Sequence, residues 1–220
     1  MLRVFTNEHG DHGNPLGVFL AGAQVAAGER QTVAAELGFS ETVFVDDPER
    51  GELRIFTPAE ELPLAGHPLV GAAWLIGGER QPIDTLRPPA GEVPTWADGG
   101  LTWIRARPAD APPFELVELA SPAAVDRLEG APGGSGLAEA WSYLDEPAGI
   151  VRARVFAPEV GVEEDEATGS AALRLCAALG RPLDIRQGRG SVIRARPGPS
   201  ATVEVGGRVV LDEAREHPGH

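Results

Sequence analysis

The chain contains no lysine, because all 19 of its basic residues are arginine. Enzymes that form a Schiff base, including those that use pyridoxal phosphate, need a lysine, and so does the Walker A phosphate loop, so these classes are excluded. The single cysteine, Cys176, excludes an intramolecular disulfide, a cysteine-cluster metal site and a racemase that works with two thiols. Because Cys176 lies inside an apolar run, we expect a buried and unreactive thiol.

Long hydrophobic runs are missing as well. No apolar stretch approaches the roughly 18 residues of a membrane-spanning helix, and the chain begins with strand-like residues rather than a signal peptide. The net charge of −14 argues against nucleic acid as a partner, because phosphates require a basic protein face. We therefore expect a cytoplasmic protein with no membrane and no nucleic-acid partner.

What the chain does contain is a duplication. Residues 54–58 (RIFTP) return a hundred residues later as 154–158 (RVFAP). Each copy leads through an acidic stretch to a glycine, and each glycine opens a short, almost wholly apolar run, at 68–76 and at 171–179. A strand, a glycine turn and a helix used twice predict a duplicated fold in which two helix N-termini face one cleft.

The two apolar helices also predict the architecture. A helix that is apolar all round has to be enclosed on every side, and most of the remaining chain has the pattern of short strands. We therefore predict an α+β fold of two pseudo-symmetric halves, each a barrel-like curved sheet around one central apolar helix. The first half spans residues 1–110, the second spans 114–211, and a polar tail follows at 212–220.

Four residues at the predicted cleft carry side chains that could act in acid–base catalysis or bind a substrate. Glu41 lies at the start of a strand, His67 and Ser170 lie at the N-termini of the two apolar helices, and Asp165 lies in the turn before the second helix. A carboxylate opposite an acid–base partner in a dry cleft can move a proton on and off carbon without a cofactor. These residues are therefore the candidates for catalysis.

The backbone of the two glycine turns supplies candidate binding groups. The N–H groups of Gly66, His67, Thr168, Gly169 and Ser170 lie at helix N-termini, which attract a small anionic substrate such as a carboxylate. A plainer explanation stays open for each candidate side chain: the glutamate as a solvated turn residue, the histidine as a helix-terminal residue, and the aspartate and serine as helix caps.

A loop near the N-terminus holds four potential metal ligands, Glu8, His9, Asp11 and His12. Their spacing places no further ligand group beside them, so a surface loop is the better interpretation. We predict neither a metal nor another cofactor.

Six stretches of sequence follow one family pattern and are collinear over most of the chain. They are GNPLGV at 13–18, LGFSETVFV at 37–45, RIFTP at 54–58 with LAGHP at 64–68, AGEVP at 90–94, RVFAP at 154–158 with DEATGSAA at 165–172, and the pair Gln187-Gly188. With these motifs the chain resembles the PhzF-like family of phenazine-biosynthesis isomerases, which shares the diaminopimelate epimerase fold.

The resemblance implies two similar β-barrels, each around a central helix, with the site between them. It also implies that Glu41 transfers the proton, and that His67, Asp165 and Ser170 are site residues. The epimerase branch of this fold carries a cysteine at each helix N-terminus. This chain has His67 and Ser170 instead, so racemisation by two thiols is unavailable to it.

The chain departs from this pattern in length, because family members are usually some tens of residues longer. The shortfall falls mainly between Phe114 and Trp141, where a strand and a helix of the second half are expected. A half that is shortened in this way would expose a sheet edge and apolar surface. We therefore predict a homodimer that covers the second half around residues 116–119 and 141–144.

The leading hypothesis is a cofactor-independent isomerase in which Glu41 moves a proton between carbons of a small carboxylate-bearing substrate. Two alternatives stay open at this point. One is a ligand-binding or structural homologue that has lost turnover, and the other is a racemase or epimerase that uses one carboxylate and a partner other than a thiol.

Overall fold

The computed structural model describes residues 1–134 and 136–212. The longer elements of the first half are β1 (Leu2–Thr6), β2 (Asn14–Phe19), α1 (Arg30–Leu37), β3 (Glu41–Asp47), β4 (Glu52–Phe56), β5 (Glu61–Leu62), α2 (Gly66–Glu79), β6 (Thr85–Leu86), β7 (Val93–Asp98) and β8 (Leu101–Ala106). Those that follow are β9 (Glu115–Glu118), α3 (Pro122–Asp126), β10 (Ala138–Asp145), β11 (Ile150–Ala157), β12 (Val162–Asp165), α4 (Gly169–Leu179), β13 (Leu183–Gln187), β14 (Ser191–Pro197) and β15 (Val203–Leu211). This mixture of strands with few helices confirms the predicted α+β class.

One continuous sheet joins the two ends of the chain. Its main strand order is β5-β4-β3-β2-β1-β15-β14-β13-β11-β10-β9, with β7 and β8 attached through β15 and with β12 attached to β11. The last strand, β15, connects the halves. Its end, from Arg208 to Leu211, pairs with β1, while Val203 to Gly207 pairs with β8. Backbone hydrogen bonds therefore run without a break from one half into the other.

The strands around each apolar helix follow the same plan. β2 runs parallel to β3, which pairs antiparallel with β4. β9 likewise runs parallel to β10, which pairs antiparallel with β11. The register also corresponds, because Val43 lies opposite Ile55 in the first half and Glu139 lies opposite Val155 in the second. The duplication read from the sequence is thus present in the strand pairing.

The two apolar helices form the centres of the core. In α2 the side chains of Leu69, Val70 and Ile76 are fully buried, and in α4 those of Leu173 and Leu175 are. Each helix is apolar on nearly every side because sheet surrounds it. Helix α4 ends with its apolar run at Leu179 and is followed by Gly180, which has a φ of 63°, but α2 continues beyond the apolar run 68–76 as far as Glu79.

The single cysteine lies inside α4, as expected. Cys176 is buried, and burial raises the pKa of its thiol to about 12. Its Sγ lies 3.4 Å from the carbonyl oxygen of Arg181. At neutral pH it is therefore a protonated thiol, without the thiolate that nucleophilic chemistry requires.

The segment between Phe114 and Trp141 contains one short strand and one short helix. Strand β9 has four residues, and within the described chain it pairs with β10 alone, so it forms a sheet edge. Helix α3 has five residues, and the hydroxyl of Ser121 caps it by accepting a hydrogen bond from the N–H of Ala124 at 3.2 Å. The second half thus keeps both types of element here, in short form.

The exposed large hydrophobic side chains among the described residues of the second half are Leu144 and Leu211, so the expected exposed apolar surface is present only in part. Trp141 and Ser142 are buried within the fold, and the exposed large hydrophobic side chains of the described residues are Leu37, Leu144 and Leu211. Asp212, the first residue of the predicted tail, accepts a hydrogen bond from Arg3 at 3.2 Å; the tail from residue 213 onward lies outside the described residues. No helix in the described part of the chain has the length and hydrophobicity to cross a membrane.

Candidate active site

The N-termini of the two central helices touch each other. A Cβ atom placed on Gly66 would lie 2.8 Å from the Cα and carbonyl carbon of Gly169, and one placed on Gly169 would lie 3.0 Å from the Cα of Gly66. Only glycine allows backbones to approach this closely. Neither helix has a side chain that caps its N-terminus. The amide N–H groups of both first turns therefore meet at the boundary between the halves.

Glu41 and His67 face each other at this boundary. Glu41 is the first residue of β3, His67 is the second residue of α2, and Oε2 of the glutamate lies 3.4 Å from Nε2 of the histidine. The His67 side chain is 3% exposed and that of Glu41 is 16% exposed. Neither of the two facing atoms forms a well-aligned hydrogen bond with any described residue. Both are thus held close together without being committed to another partner.

Burial opposes a charge on either member of this pair. It raises the pKa of Glu41 to about 7, although a hydrogen bond with Ser40 works in the other direction. It lowers the pKa of His67 to about 4, although the charge of Asp165 partly offsets this. The imidazole is therefore neutral at pH 7 and the glutamate is near its titration midpoint. A neutral imidazole beside a carboxyl that exchanges its proton easily describes the site better than an ion pair does.

Asp165 brings a second carboxyl to the boundary, from the second half. It ends β12, and its Oδ1 and Oδ2 accept hydrogen bonds from Asn14 at 2.7 Å and from Thr168 at 2.6 Å. Burial, and next the charge of Glu41, raise the pKa of Asp165 to about 6, against the effects of His67 and the two hydrogen bonds. Glu41 lies 3.4 Å from His67, and the charges of both act on Asp165, so the fold brings these three predicted residues to one boundary.

Two buried amides support Asp165, and the sequence analysis had assigned neither a role. The Nδ2 of Asn14 also donates to the carbonyl oxygen of Ala167 at 3.0 Å, and its Oδ1 accepts from Ser40 at 3.2 Å. Gln187 donates to the backbone oxygen of Asp165 at 2.9 Å. Each amide adjoins a glycine within a family motif, Gly13-Asn14 and Gln187-Gly188. Their positions in these motifs were the sequence feature that could have identified the two amides as part of the site.

The predicted binding residues fall into two groups. Gly66, His67, Gly169 and Ser170 lie at the paired helix N-termini, as expected. Thr168 does not serve as an open binding group, because its N–H already donates to Oε1 of Gln187 at 3.1 Å and its hydroxyl donates to Asp165. Its part in the site is to orient that carboxyl.

The site is largely buried in this structure. Glu41 and Asp165 are largely buried and His67 is buried, and neither of two surface clefts in the described chain has any of the three in its wall. Within residues 1–134 and 136–212, no three His, Cys, Asp or Glu side chains are grouped so as to hold a metal ion. In the N-terminal loop, His9 lies 3.5 Å from Glu8, and both side chains are exposed.

Comparison with known proteins identifies the family to which the chain is similar. The family model of phenazine biosynthesis-like proteins matches residues 2–125, which include Glu41 and His67. A curated relative, the trans-2,3-dihydro-3-hydroxyanthranilate isomerase of Pseudomonas aeruginosa, is 32% identical over 218 residues, covering 80% of this chain and 78% of the relative.

Solved structures show the same fold. A protein from Pseudomonas aeruginosa described as a predicted epimerase superposes with a TM-score of 0.76 at 25% identity, covering 100% of this chain and 98% of the other. A phenazine biosynthesis protein of the PhzF family from Bacillus anthracis superposes with a TM-score of 0.76 at 18% identity, covering 95% and 94%. At the lower identity the likeness concerns the fold alone.

Proposed function

The chain belongs to the phenazine biosynthesis-like family of isomerases, and from that premise we propose that it moves a proton between carbons of a small carboxylate-bearing substrate without a cofactor. One observation supports this most: the buried carboxyl of Glu41 lies 3.4 Å from the imidazole of His67, at the meeting point of two helix N-termini. An acid–base group, a neutral polar partner and a set of anion-binding amides thus occupy one small volume.

The substrate carboxylate binds at the paired helix N-termini. The amide N–H groups of Gly66, His67, Gly169 and Ser170 provide donors there, and the positive ends of two helix dipoles add to the attraction. This local field acts at short range, so it is effective despite the net charge of −14. Binding at this point places the rest of the substrate beside Glu41.

Glu41 acts as base and then as acid. Its carboxylate accepts a proton from a carbon of the substrate, and the electron pair of the broken C–H bond forms a new double bond while the π pair of the neighbouring double bond shifts to the carbon beyond it. The resulting carboxylic acid, whose proton exchanges with solvent, then donates a proton to that carbon, so no redox change occurs. A pKa of about 7 suits both steps, because the group is available in either protonation state near neutral pH.

His67 and Asp165 assist without exchanging the proton themselves. The neutral imidazole places its Nε2 beside the carboxyl of Glu41 and adds no charge that would hold the glutamate ionised. Asp165 is fixed by Asn14 and Thr168, and the charge of Glu41 helps to keep the pKa of Asp165 raised. The burial of the site strengthens each of these effects.

The test is deuterium incorporation from D₂O, with trans-2,3-dihydro-3-hydroxyanthranilate and related small carboxylates as substrates. Glu41→Gln keeps the shape of the side chain but cannot exchange a proton, so we expect turnover and incorporation to fall by at least about 100-fold while carboxylate binding persists. Glu36→Gln, an exposed position in α1, serves as the matched control and keeps the wild-type rate. If Glu41→Gln retained wild-type incorporation on a verified substrate, Glu41 would not be the acid–base group, and Asp165 would be the next candidate.

An epimerase is the second candidate, because Glu41 and Asp165 reach the site from opposite halves and both have a raised pKa. Two carboxyls on opposite sides of one carbon would remove and return a proton with inversion. Chiral analysis of the deuterated product distinguishes the two reactions. A proton moved to another carbon supports the isomerase, whereas the same carbon skeleton with inverted configuration supports the epimerase. Binding of carboxylates with neither product formation nor deuterium incorporation would instead support a homologue that has lost turnover.

A further inference from the structure

A third buried carboxyl lies in the second half, and the mechanism above does not use it. Glu139 is in β10 with no exposed surface, and neither of its carboxyl oxygens has a hydrogen-bond partner among the described residues. Trp141, two positions along the same strand, is buried as well, and its indole N–H is also without a partner in the described chain. Residues two apart on a strand share one face of the sheet, so two unpaired polar groups lie side by side.

Their face of the sheet points into the core. Trp141 lies opposite Ala153, and both belong to the main hydrophobic cluster that includes Leu173 and Leu175 of α4. Glu139 lies on the same face as Trp141 and therefore also points toward the interior of the second half, which is otherwise apolar.

The strand register connects Glu139 with the candidate active site. Glu139 is directly opposite Val155 on β11, and Val155 is directly opposite Asp165 on β12. Directly opposed side chains lie on one face with their Cβ atoms about 5 Å apart. Glu139, Val155 and Asp165 thus form one row across three strands, with an unpaired carboxyl at one end and an active-site carboxyl at the other.

The fold does not require an acid at this position. The corresponding residue of the first half is Val43, which lies opposite Ile55 just as Glu139 lies opposite Val155. A buried polar group without a partner destabilises a protein, and a valine would avoid that penalty. Burial also raises the pKa of Glu139 to about 8, so the carboxyl is neutral at pH 7 and has one O–H donor and one carbonyl acceptor.

We propose that Glu139 and Trp141 form a substrate-binding subsite inside the second half, in the same cross-strand row as Asp165 and separated from it by Val155, that recognises an uncharged polar group such as a hydroxyl or a carboxamide. The proposal rests on the proposed function, because the helix N-termini hold the carboxylate end of the same molecule. A neutral acid can donate one hydrogen bond and accept another, and the indole N–H adds a second donor. A substrate without such a group leaves both side chains unpaired, so the subsite selects against it.

Binding of defined probes tests the subsite without knowledge of the natural substrate. Benzoate, 3-hydroxybenzoate, 4-hydroxybenzoate and the cationic 3-(aminomethyl)benzoate are titrated into the full chain, and the dissociation constants are compared. We expect at least one hydroxybenzoate to bind at least about fivefold more tightly than benzoate, as one good hydrogen bond allows. Glu139→Leu abolishes that preference, Trp141→Phe reduces it, and Glu139→Gln, which keeps a donor and an acceptor, retains part of it. Glu115→Gln, on the exposed neighbouring strand, is the control and leaves it unchanged.

Infrared difference spectroscopy distinguishes a ligand-binding glutamate from a structural one, because the carboxylic-acid band of a structural glutamate would not shift when a ligand binds. The carboxylic-acid C=O band that disappears in Glu139→Gln is expected to shift when the preferred hydroxybenzoate saturates the wild-type protein. No shift, together with equal affinity of wild type and Glu139→Leu for all four probes, overturns the subsite. Preferred binding of the aminomethyl probe with release of a proton overturns its preference for a neutral group.

The two proposals fail in different ways. If the probes perturb the amide NMR signals of Gly66 and Gly169 but leave the Glu139 band unchanged, the subsite is refuted while the proposed carboxylate site stands. If no probe perturbs those amides, the carboxylate site is refuted, and a Glu139 band that stays unchanged as well refutes the subsite with it.

Discussion

Gly66→Ala tests the central feature of the site, the contact between the two helix N-termini. The added methyl group would lie 2.8 Å from two backbone atoms of Gly169 and 3.0 Å from the amide nitrogen of Ser170. These are backbone atoms of a packed helix, so no flexible side chain can move aside. Ordinary contact requires at least 3.4 Å, and the helices must therefore separate by roughly half an ångström to one ångström.

Two opposing effects determine the change in stability. Overpacking of this kind costs about 1–3 kcal/mol, whereas replacing a helical glycine with alanine gains about 0.5–1 kcal/mol. We expect a net loss of about 1–2 kcal/mol, which lowers the Tm of a chain of this size by about 3–6 °C. Because a misplacement of about one ångström can reduce a rate about 100-fold, deuterium incorporation should fall much more than stability does.

Calorimetry and the D₂O assay are the two measurements, and the same helix offers the control. Gly78 is also in α2, and a Cβ there would meet nothing within 4 Å. Gly78→Ala should therefore leave incorporation unchanged and keep or slightly raise the Tm. If Gly66→Ala behaved like Gly78→Ala in both measurements, the close approach of the two helix ends would be refuted.

Three further predictions concern single residues and assembly. Asn14→Ala removes a donor to the ionised carboxyl and should raise the pKa of Asp165 above about 6; a carboxyl titration followed by ¹³C NMR that shows no rise would contradict this. Because the pKa of Glu139 rises from 4.5 to about 8 on folding, the native state holds a proton that the unfolded chain has lost between these values. Wild-type stability should therefore decrease with rising pH relative to Glu139→Gln, by up to about 1.4 kcal/mol per pH unit, in denaturant titrations; parallel curves would refute this. The sheet edge at β9 still predicts a homodimer of twice the 23.1 kDa chain mass, and light scattering that shows a monomer at micromolar concentration would refute it.

Local patterns in the sequence were sufficient for the duplicated plan of the fold. The apolar runs that begin at Gly66 and Gly169 could only be enclosed helices, because a helix without a polar face cannot lie on a surface. The two glycines indicated a close approach of the backbone to a neighbouring group. The structure shows that the two glycines approach each other. The motifs also predicted Glu41, His67 and Asp165 as candidate site residues at one cleft, and the structure places the three at one boundary.

Local patterns failed where the outcome depends on which strands become neighbours. No pattern in residues 203–211 indicates that β15 pairs with β1 and β8 of the first half as well as with β14 of the second, because that pairing is decided by closure of the whole sheet. The exposed surface expected around residues 141–144 was only partly right for the same reason, since the fold itself buries Trp141 while Leu144 is exposed.

The sequence by itself therefore determined the chemistry that is available: no lysine, one buried cysteine, a duplicated glycine–helix unit and a small set of acids with one histidine at the helix ends. Only the tertiary structure decided which of these acids have a raised pKa. Glu41, Asp165 and Glu139 are unremarkable carboxylates along the chain, and their raised pKa values arise from burial that residues far apart in sequence create together. Desolvation depends on the surroundings of a group in three dimensions, so no local pattern could have shown that the pKa values of these three acids are raised.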